Sequence, residues 1–493
     1  MQDSPLLIID EGTTSTRAML YRASGEIDGF CQSDLVQHYP TAGRVEHDAA
    51  EIWDKTLACA RAMVERAGGA DRIGAIGITN QRETVVAWDR ATGEPVTRAI
   101  VWQDRRTADR CRELRDAGHE PMIKARTGLL LDPYFSATKM AWILENVPEA
   151  RDLGSRLAFG TVESWLVWKL TGGLHISDAS NASRTMLMPI DGHDWDDALL
   201  ALHGVSRASL PEIVDMAGRF GSTRPELFGA PIPICGLAGD QQAATIGQNC
   251  LAPGDVKATL GTGAFVLANT GAQPPRSTHR LLGTVLTQLE GERTYALEGS
   301  IFVAGSLVKW LRDDMGLIGS AEETERLARS VPDSGGVCLL PALSGLGAPH
   351  WRAEARGVIA GLTHGTGRAH VVRAALESLA HQMHDLEQAY AGDGCVWRSL
   401  RLDGGMSAND WVAQDLADIL RLPVERPRNV ETTALGAAML ASVGCGLHAS
   451  LSQAAAMRPG VARFVPGMEA GRRAARLDLW HELLARELGS LAG

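Results

Sequence analysis

The stretch Leu6 to Leu20, LLIIDEGTTSTRAML, decides how this chain is read. Leu6 to Ile9 is a short apolar run and reads as a buried strand that stops at a carboxylate, Asp10. Gly12 allows a tight turn, and Thr13, Thr14, Ser15 and Thr16 bring hydroxyls and backbone N–H groups to it. Arg17 follows, and Ala18 to Tyr21 reads as the returning strand. A strand ending in Asp, a Gly/Thr turn and a cation together suit a metal–phosphate group. The carboxylate orders magnesium waters, the N–H groups form an anion nest, and the guanidinium offsets phosphate charge. Gly and Thr also form ordinary hairpins, so the phosphate reading needs support from the rest of the chain.

That support begins with a second copy of the pattern. Near Pro253 the sequence restarts: Val256 to Leu260 reads as a strand, Gly261-Thr262-Gly263 as a turn, and Phe265 to Ala268 as a returning strand. Between the two hairpins, strands and helices alternate, which makes the fold class α/β. Helices are predicted from Ala49 to Ala67, His370 to Tyr390 and Thr432 to Ala441, with strands at Ile73 to Ile78, Val85 to Trp88, Ala99 to Trp102, Ile232 to Leu237 and Leu400 to Leu402. Val372, Leu376, Leu379, Met383 and Leu386 give the second helix one apolar face. Two hairpins, each heading an α/β half, imply two related domains facing one cleft, residues 1–249 and 250–493, with a linker near Asn249 to Gly254.

With 493 residues, about two to four domains are expected and large cores are readily buried. A net charge of −11 with no basic cluster argues against a nucleic-acid partner. Met1 to Pro5 has no basic leader region, and no run reaches the roughly 18 apolar residues of a membrane span. The eight cysteines are scattered without a C-x-x-C pair and read as reduced thiols of a cytoplasmic protein.

Candidate chemistry collects after buried strands of the first half. Asp240 sits where a strand becomes a helix, a usual place for an α/β active site, although Asp is also a preferred N-cap. Arg82-Glu83 follows Ile73 to Ile78, and Trp102 closes Ala99 to Trp102. If these strands share one parallel sheet, their ends converge on one rim. Arg82, Glu83 and Asp240 would then read the hydroxyls of a small polyol, and Trp102, Tyr134 and Phe265 would cover its carbons. Taken singly, each aromatic is more often explained by core packing.

Ten segments now stand in a fixed order: DEGTTSTR, VEHDAAEIW, GITNQRETVVAW, AIVWQDRRT, DPYFSATKMAW, NASRTML, AGDQQAA, GTGAF, LSGLGAPHW and DGG-x-x-x-N. Together they resemble glycerol kinases, a branch of the FGGY carbohydrate kinases within the actin and hexokinase superfamily. The resemblance runs from about Leu6 to Ala441 and fades in the tail. It implies two ribonuclease-H-like domains with mixed sheets and flanking helices, ATP and substrate in the cleft between them, and ATP-dependent phosphorylation of glycerol at its 3-hydroxyl. It assigns glycerol to Arg82, Glu83, Tyr134, Asp240 and Gln241, with Trp102 and Phe265 against its carbons and Asp240 as general base. Asp10, with Asp240, would hold Mg2+ through water. Thr13, Thr14, Ser15, Arg17 and Thr262 would contact the phosphates, and Gly305, Lys309, Gly405 and Asn409 would line the nucleoside end. A homo-oligomer, dimer or tetramer, is implied by the same resemblance.

Two residues depart from the family pattern. Glu11 stands where Gln is usual, and an added carboxylate beside the phosphates is expected to raise the Michaelis constant for ATP by repulsion. Lys309 also replaces a usual Gln, either as a compensating cation or pointing to solvent. The segment Phe228-Gly-Ala-Pro-Ile lacks the Gly-rich, Arg-containing loop that binds fructose 1,6-bisphosphate in some relatives, so no inhibition by that sugar is expected. Other readings are a kinase for a longer polyol or ketose, a non-catalytic sugar-binding regulator, and an actin-like filament subunit. A longer substrate would want a smaller residue at Trp102 or Phe265, and a dead regulator would be expected to lose Asp10 or Asp240.

Overall fold

The opening stretch folds as the hairpin its pattern predicts. Leu6–Glu11 (β1) and Ser15–Tyr21 (β2) pair antiparallel with Asp10 opposite Arg17. Leu7, Ile8 and Ile9 are fully buried because helices cover both faces of this sheet. Ile27–Asp34 (β3) extends the hairpin side. Its residues are half-buried or exposed, so no apolar run announces it in the sequence. The computed structural model describes residues 4–458 and 460–490; Met1 to Asp3, part of the stretch read for a leader, lie outside them.

Ala49–Ala67 (α1) lies over β2, opened by the Asp48 side chain and closed by left-handed Gly68. Ala75–Asn80 (β4) runs parallel to β1 and places Thr79 beside Asp10. Ser136–Asn146 (α2) belongs to an insertion that follows. Ala217–Ser222 (β5) and Pro233–Gly239 (β6) complete a six-stranded sheet in the order β5-β6-β4-β1-β2-β3. Asp240–Gly247 (α3) leaves directly from β6. One expectation is corrected: Val86–Asp89 and Ala99–Ile100 are not strands of this sheet. They form separate two-stranded ribbons with Leu157–Gly160 and Glu46–His47. The extended run ends at Ile100, and the Trp102 backbone N–H is taken by the Thr84 hydroxyl at 3.1 Å instead of by a strand.

The second half repeats the plan. Asp255–Leu260 (β7) and Ala264–Gly271 (β8) form the second hairpin, and Leu282–Leu289 (β9) and Glu292–Ile301 (β10) add to its outer edge. Gly305–Asp313 (α4) and Arg368–Gly392 (α5) come next. The predicted apolar face of α5 is buried throughout. Ser399–Asp403 (β11) runs parallel to β7, as β4 does to β1. Asp410–Leu420 (α6), Val424–Pro427 (β12), Thr432–Gly444 (α7), Val461–Phe464 (β13) and Ala470–Ser490 (α8) finish the chain. The seven strands run β9-β10-β8-β7-β11-β12-β13.

Helix α7 belongs to the second half by sequence yet packs on the first sheet. Its Ala434, Leu435, Ala437 and Ala438 share one buried cluster with Leu6, Ile8 and Ala238. A Cβ at Gly436 would stand 1.8 Å from the Ala243 carbonyl oxygen of α3, so only glycine permits this helix crossing. Among the described residues no helix is long and apolar enough to cross a membrane.

Candidate active site

Thr13, Arg82, Glu83, Trp102, Tyr134, Asp240, Gln241 and Phe265 line one cavity of about 40 Å³. A single water occupies about 10–15 Å³ on this scale, so the cavity holds a molecule with roughly three water-sized groups. The two halves meet here: Thr13 comes from the first hairpin and Phe265 from the second, while Asp240 opens α3. Trp102 reaches the cavity from its loop because its indole N–H donates to the Thr13 hydroxyl at 2.9 Å. Tyr134 and Phe265 meet the Trp102 ring edge-on, with centroids 5.6 and 6.4 Å away. The result is an aromatic wall facing a charged one.

The charged wall is a connected network of buried ion pairs. Arg82 places Nε 3.2 Å from Asp240 and Nη1 2.7 Å from Glu298. Arg184 donates from Nε to Glu83 at 2.6 Å and from Nη2 to Glu298 at 2.9 Å. Lys257 donates to the Gln241 amide oxygen at 2.6 Å and to Thr259 at 3.0 Å. Buried charges persist when they are paired in this way. Burial opposes the Arg82 charge, yet Glu298 and Glu83 hold its pKa well above the ordinary value. Burial likewise pushes Glu298 up, but Arg184 and Arg82 outweigh it and hold its carboxyl at about 2. For Asp240 burial dominates and raises the pKa despite Arg82 and Lys257. The Asp240 side chain keeps 31% of its surface open to the cavity, so its carboxylate is both accessible and basic.

Glu83 sits in the left-handed region at φ 61°, a costly conformation for a side chain of this kind. The Ser136 hydroxyl and Lys139 ammonium hold it there by donating to its carbonyl oxygen at 3.1 and 3.2 Å. Lys139 also donates to the Tyr134 carbonyl, so the DPYFSATK segment fixes two cavity residues at once. Arg184, Lys139, Lys257 and Glu298 were assigned no role from sequence. Their signal is a charge inside an apolar element, as in YALEGSI or VKATL.

Beside the cavity lies the first hairpin. Burial pushes Asp10 up to about 6; Arg17, at 3.6 Å, opposes the shift, and the nearby carboxyls of Glu431 and Asp240 add to it. Arg17 is shared with Glu431 at 2.6 Å. Thr14 and Thr262 are exposed at the two hairpin turns, and Ser15 is buried. Gly305 lets α4 start against the second turn: its N–H donates to Gly261 at 2.9 Å, and a Cβ would stand 2.5 Å from that oxygen. Lys309 and Gly405 are exposed at this end. Asn409 is engaged within the chain, capping α6 through Val412 and donating to Thr324 at 3.1 Å.

Glu11 overturns an expectation. Its carboxyl is fully buried, and the Thr56 hydroxyl of α1 donates to it at 3.0 Å. Burial drives its pKa up to about 8, so at neutral pH it is largely protonated and carries little charge toward any phosphate. Alternation along β1 is the reason: Asp10 and Glu11 take opposite faces of the sheet. Lys309 on α4 is not its counterion, and Glu11 needs none.

Two lobes of one design, joined around a carboxylate cavity with a Thr/Gly turn from each, define a phosphotransferase of small hydroxylated molecules. Residues 6–247 match the N-terminal domain, and 256–445 the C-terminal domain, of the FGGY family of carbohydrate kinases. The chain is 54% identical to a glycerol kinase of Methylobacterium nodulans, covering 98% of each chain. It is 53% identical to a glycerol kinase of Aromatoleum aromaticum, over 99% of this chain and 100% of the relative. The crystal structure of Plasmodium falciparum glycerol kinase with ADP superposes with a TM-score of 0.94 at 35% identity, covering 99% of this chain and 98% of that one. The chain belongs to the FGGY family of carbohydrate kinases.

Proposed function

We propose that this enzyme transfers the γ-phosphoryl group of ATP to the 3-hydroxyl of glycerol, giving sn-glycerol 3-phosphate and ADP. The observation that carries this reading is the cavity itself: room for about three water-sized groups, a charged wall for hydroxyls and an aromatic wall for carbons. Arg82 donates to substrate oxygens, Glu83 accepts from substrate hydroxyls, and Trp102, Tyr134 and Phe265 cover the carbon chain. Asp240 takes the hydroxyl proton as that oxygen attacks the γ-phosphorus and the bond to the bridging oxygen of ADP breaks. Burial raises its pKa, which makes it a stronger base than an exposed carboxylate.

The phosphates would lie between the turns carrying Thr13, Thr14 and Thr262, with Ser15 supporting the first turn. Arg17 would neutralise phosphate charge, and the nucleoside would extend toward Gly305, Lys309, Gly405 and Asn409. Asp10 and Asp240 fit a hard divalent cation, because they are neighbouring carboxyls whose mutual repulsion a cation relieves. Mg2+ bound there supplies charge neutralisation for the transferring phosphoryl group. We assign the lobes to residues 1–249 and 250–493, with α7 crossing back, and expect a cytoplasmic homo-oligomer.

ADP release with Mg-ATP and glycerol, dihydroxyacetone, erythritol or D-xylulose tests the reading. Glycerol is expected to be preferred strongly, and Asp240→Asn to lower kcat about a thousandfold or more. Turnover of D-xylulose alone would displace glycerol as the substrate. A fully active Asp240→Asn variant would displace the base.

A further inference from the structure

Far from the cavity, α8 docks against α5 through a cluster of imidazoles around one carboxylate. His481 Nε2 stands 3.3 Å from Asp385 Oδ1. The ring of His384 lies beside that of His481, with centroids 5.9 Å apart. One ligand atom from each of His384, Asp385 and His481 lies within 4.8 Å of the others. On the opposite oxygen, Asp385 Oδ2 meets His350 Nε2 at 3.3 Å and accepts from the Trp480 indole at 2.9 Å. A second cavity of about 10 Å³, the size of one water, opens against Asp385, His350, Gln382 and Trp480.

We propose that His384, Asp385 and His481 bind a borderline divalent transition metal such as Zn2+, with His350 and Trp480 orienting the carboxylate. Two imidazoles and a carboxylate form a donor set suited to Zn2+, with one position left for water. Zinc bonds of about 2.0–2.1 Å set tetrahedral ligand atoms about 3.3 Å apart, which is the His481–Asp385 separation already present. His384 closes the triangle by a side-chain adjustment.

A second observation is independent of these spacings. His384 is 7% exposed, and among the described residues its Nδ1 has no hydrogen-bond partner, a state that leaves a buried ring nitrogen free to ligate. The neighbouring cations are committed elsewhere: Arg476 is paired with Asp415 at 2.5 and 2.9 Å, and Arg473 Nε donates to the Ile419 carbonyl at 2.5 Å. Hydrogen bonds from outer groups to the far carboxylate oxygen are what fix a metal ligand's orientation.

The metal would fasten three segments. His481 is on α8, His384 and Asp385 are on α5, and His350 is in the loop that follows Leu343. In that loop the Ala348 N–H donates to the Ser300 carbonyl at 3.0 Å, two residues along β10 from Glu298. The site therefore pins the C-terminal helix to the strand that holds the charged wall.

The test uses the full chain, stripped with a chelator and free of nucleotide. Zn2+ is followed by titration calorimetry and Co2+ by visible absorbance, since eight cysteines offer competing thiols. One equivalent is expected, with cobalt d–d bands and no thiolate charge-transfer band. His481→Gln and His384→Gln should each weaken binding about a hundredfold, and His350→Gln about tenfold. Zn2+ should raise the Tm of the wild type by about 2–4 °C and leave that of His481→Gln unchanged. His481 is half exposed, so its replacement leaves the fold intact. Absence of stoichiometric binding, a thiolate band, or unchanged affinity in His481→Gln would each overturn the proposal.

Discussion

Replacing Glu11 with Gln separates two accounts of the first hairpin. A charged Glu11 would repel phosphate, and its removal would lower the Michaelis constant for ATP. A buried, protonated Glu11 would leave that constant unchanged and reveal itself in stability. The carboxyl rises from 4.5 in the unfolded chain to about 8 in the fold. Between those values the folded protein keeps a proton that the unfolded chain releases. Stability from this group is therefore fully present below pH 4.5 and is lost as pH rises toward 8. The slope is about 1.4 kcal/mol per pH unit, or about 2–3 kcal/mol between pH 5.5 and 7.5. Gln does not titrate and has no such slope. Thermal melts of both proteins at pH 5.5, 6.5 and 7.5, without nucleotide or metal, should show the variant gaining on the wild type by about 4–8 °C across the range. Parallel melting profiles, or an ATP Michaelis constant that falls several-fold in the variant, would refute the buried-acid account.

Two further outcomes concern the cavity walls and a third concerns the segment at Phe228. Glu298→Gln leaves Arg82 and Arg184 short of a buried partner, a loss of about 3–5 kcal/mol; melts should fall and the glycerol Michaelis constant should rise at least tenfold, with ATP little affected. A variant with wild-type melting and wild-type glycerol kinetics would show that the network is ornamental to the pocket. Trp102→Ala opens the aromatic wall, so kcat/KM for glycerol should fall about tenfold or more while erythritol or D-xylulose turnover appears; unchanged selectivity would remove Trp102 from the specificity wall. Fructose 1,6-bisphosphate at millimolar concentration should leave the rate unchanged, because the segment from Phe228 to Ile232 carries no arginine to take a sugar phosphate, and clear inhibition would contradict this.

Local pattern carries most of the fold. The Leu6–Glu11 hairpin, its echo at Asp255–Leu260, and the apolar face of Arg368–Gly392 are all signalled locally, by a short apolar run with a Gly/Thr turn or by helical spacing. Ile27–Asp34 was not, since an edge strand with half-exposed residues has no apolar run to display. Ala99–Ile100 misled in the opposite direction: its short apolar run is buried by ribbon pairing with Glu46–His47, not by the central sheet. Periodicity reports burial, and it does not report which neighbour provides it.

The site divides along the same line. Asp240, Arg82-Glu83 and the two Gly/Thr turns stand at strand ends, where chain direction alone aims them toward one rim. Glu298 and Arg184 cannot be read that way. Arg82 finds Glu298 216 residues away, and Arg184 finds Glu83 and Glu298 at separations of 101 and 114. A carboxylate inside an apolar strand would ordinarily count against burial, because the isolated charge costs several kcal/mol to desolvate. Its tolerance depends mainly on two guanidinium groups that arrive from the other half of the chain, with the Lys257 ammonium adding to them. Glu11 makes the complementary case: with no cation brought to it, burial neutralises the group instead of pairing it. Two buried glutamates thus end in opposite charge states, one held at about 2 and the other driven to about 8, and only tertiary placement distinguishes them. The charged wall of the cavity is accordingly a property of the two lobes docked together, and neither lobe's sequence encodes it alone.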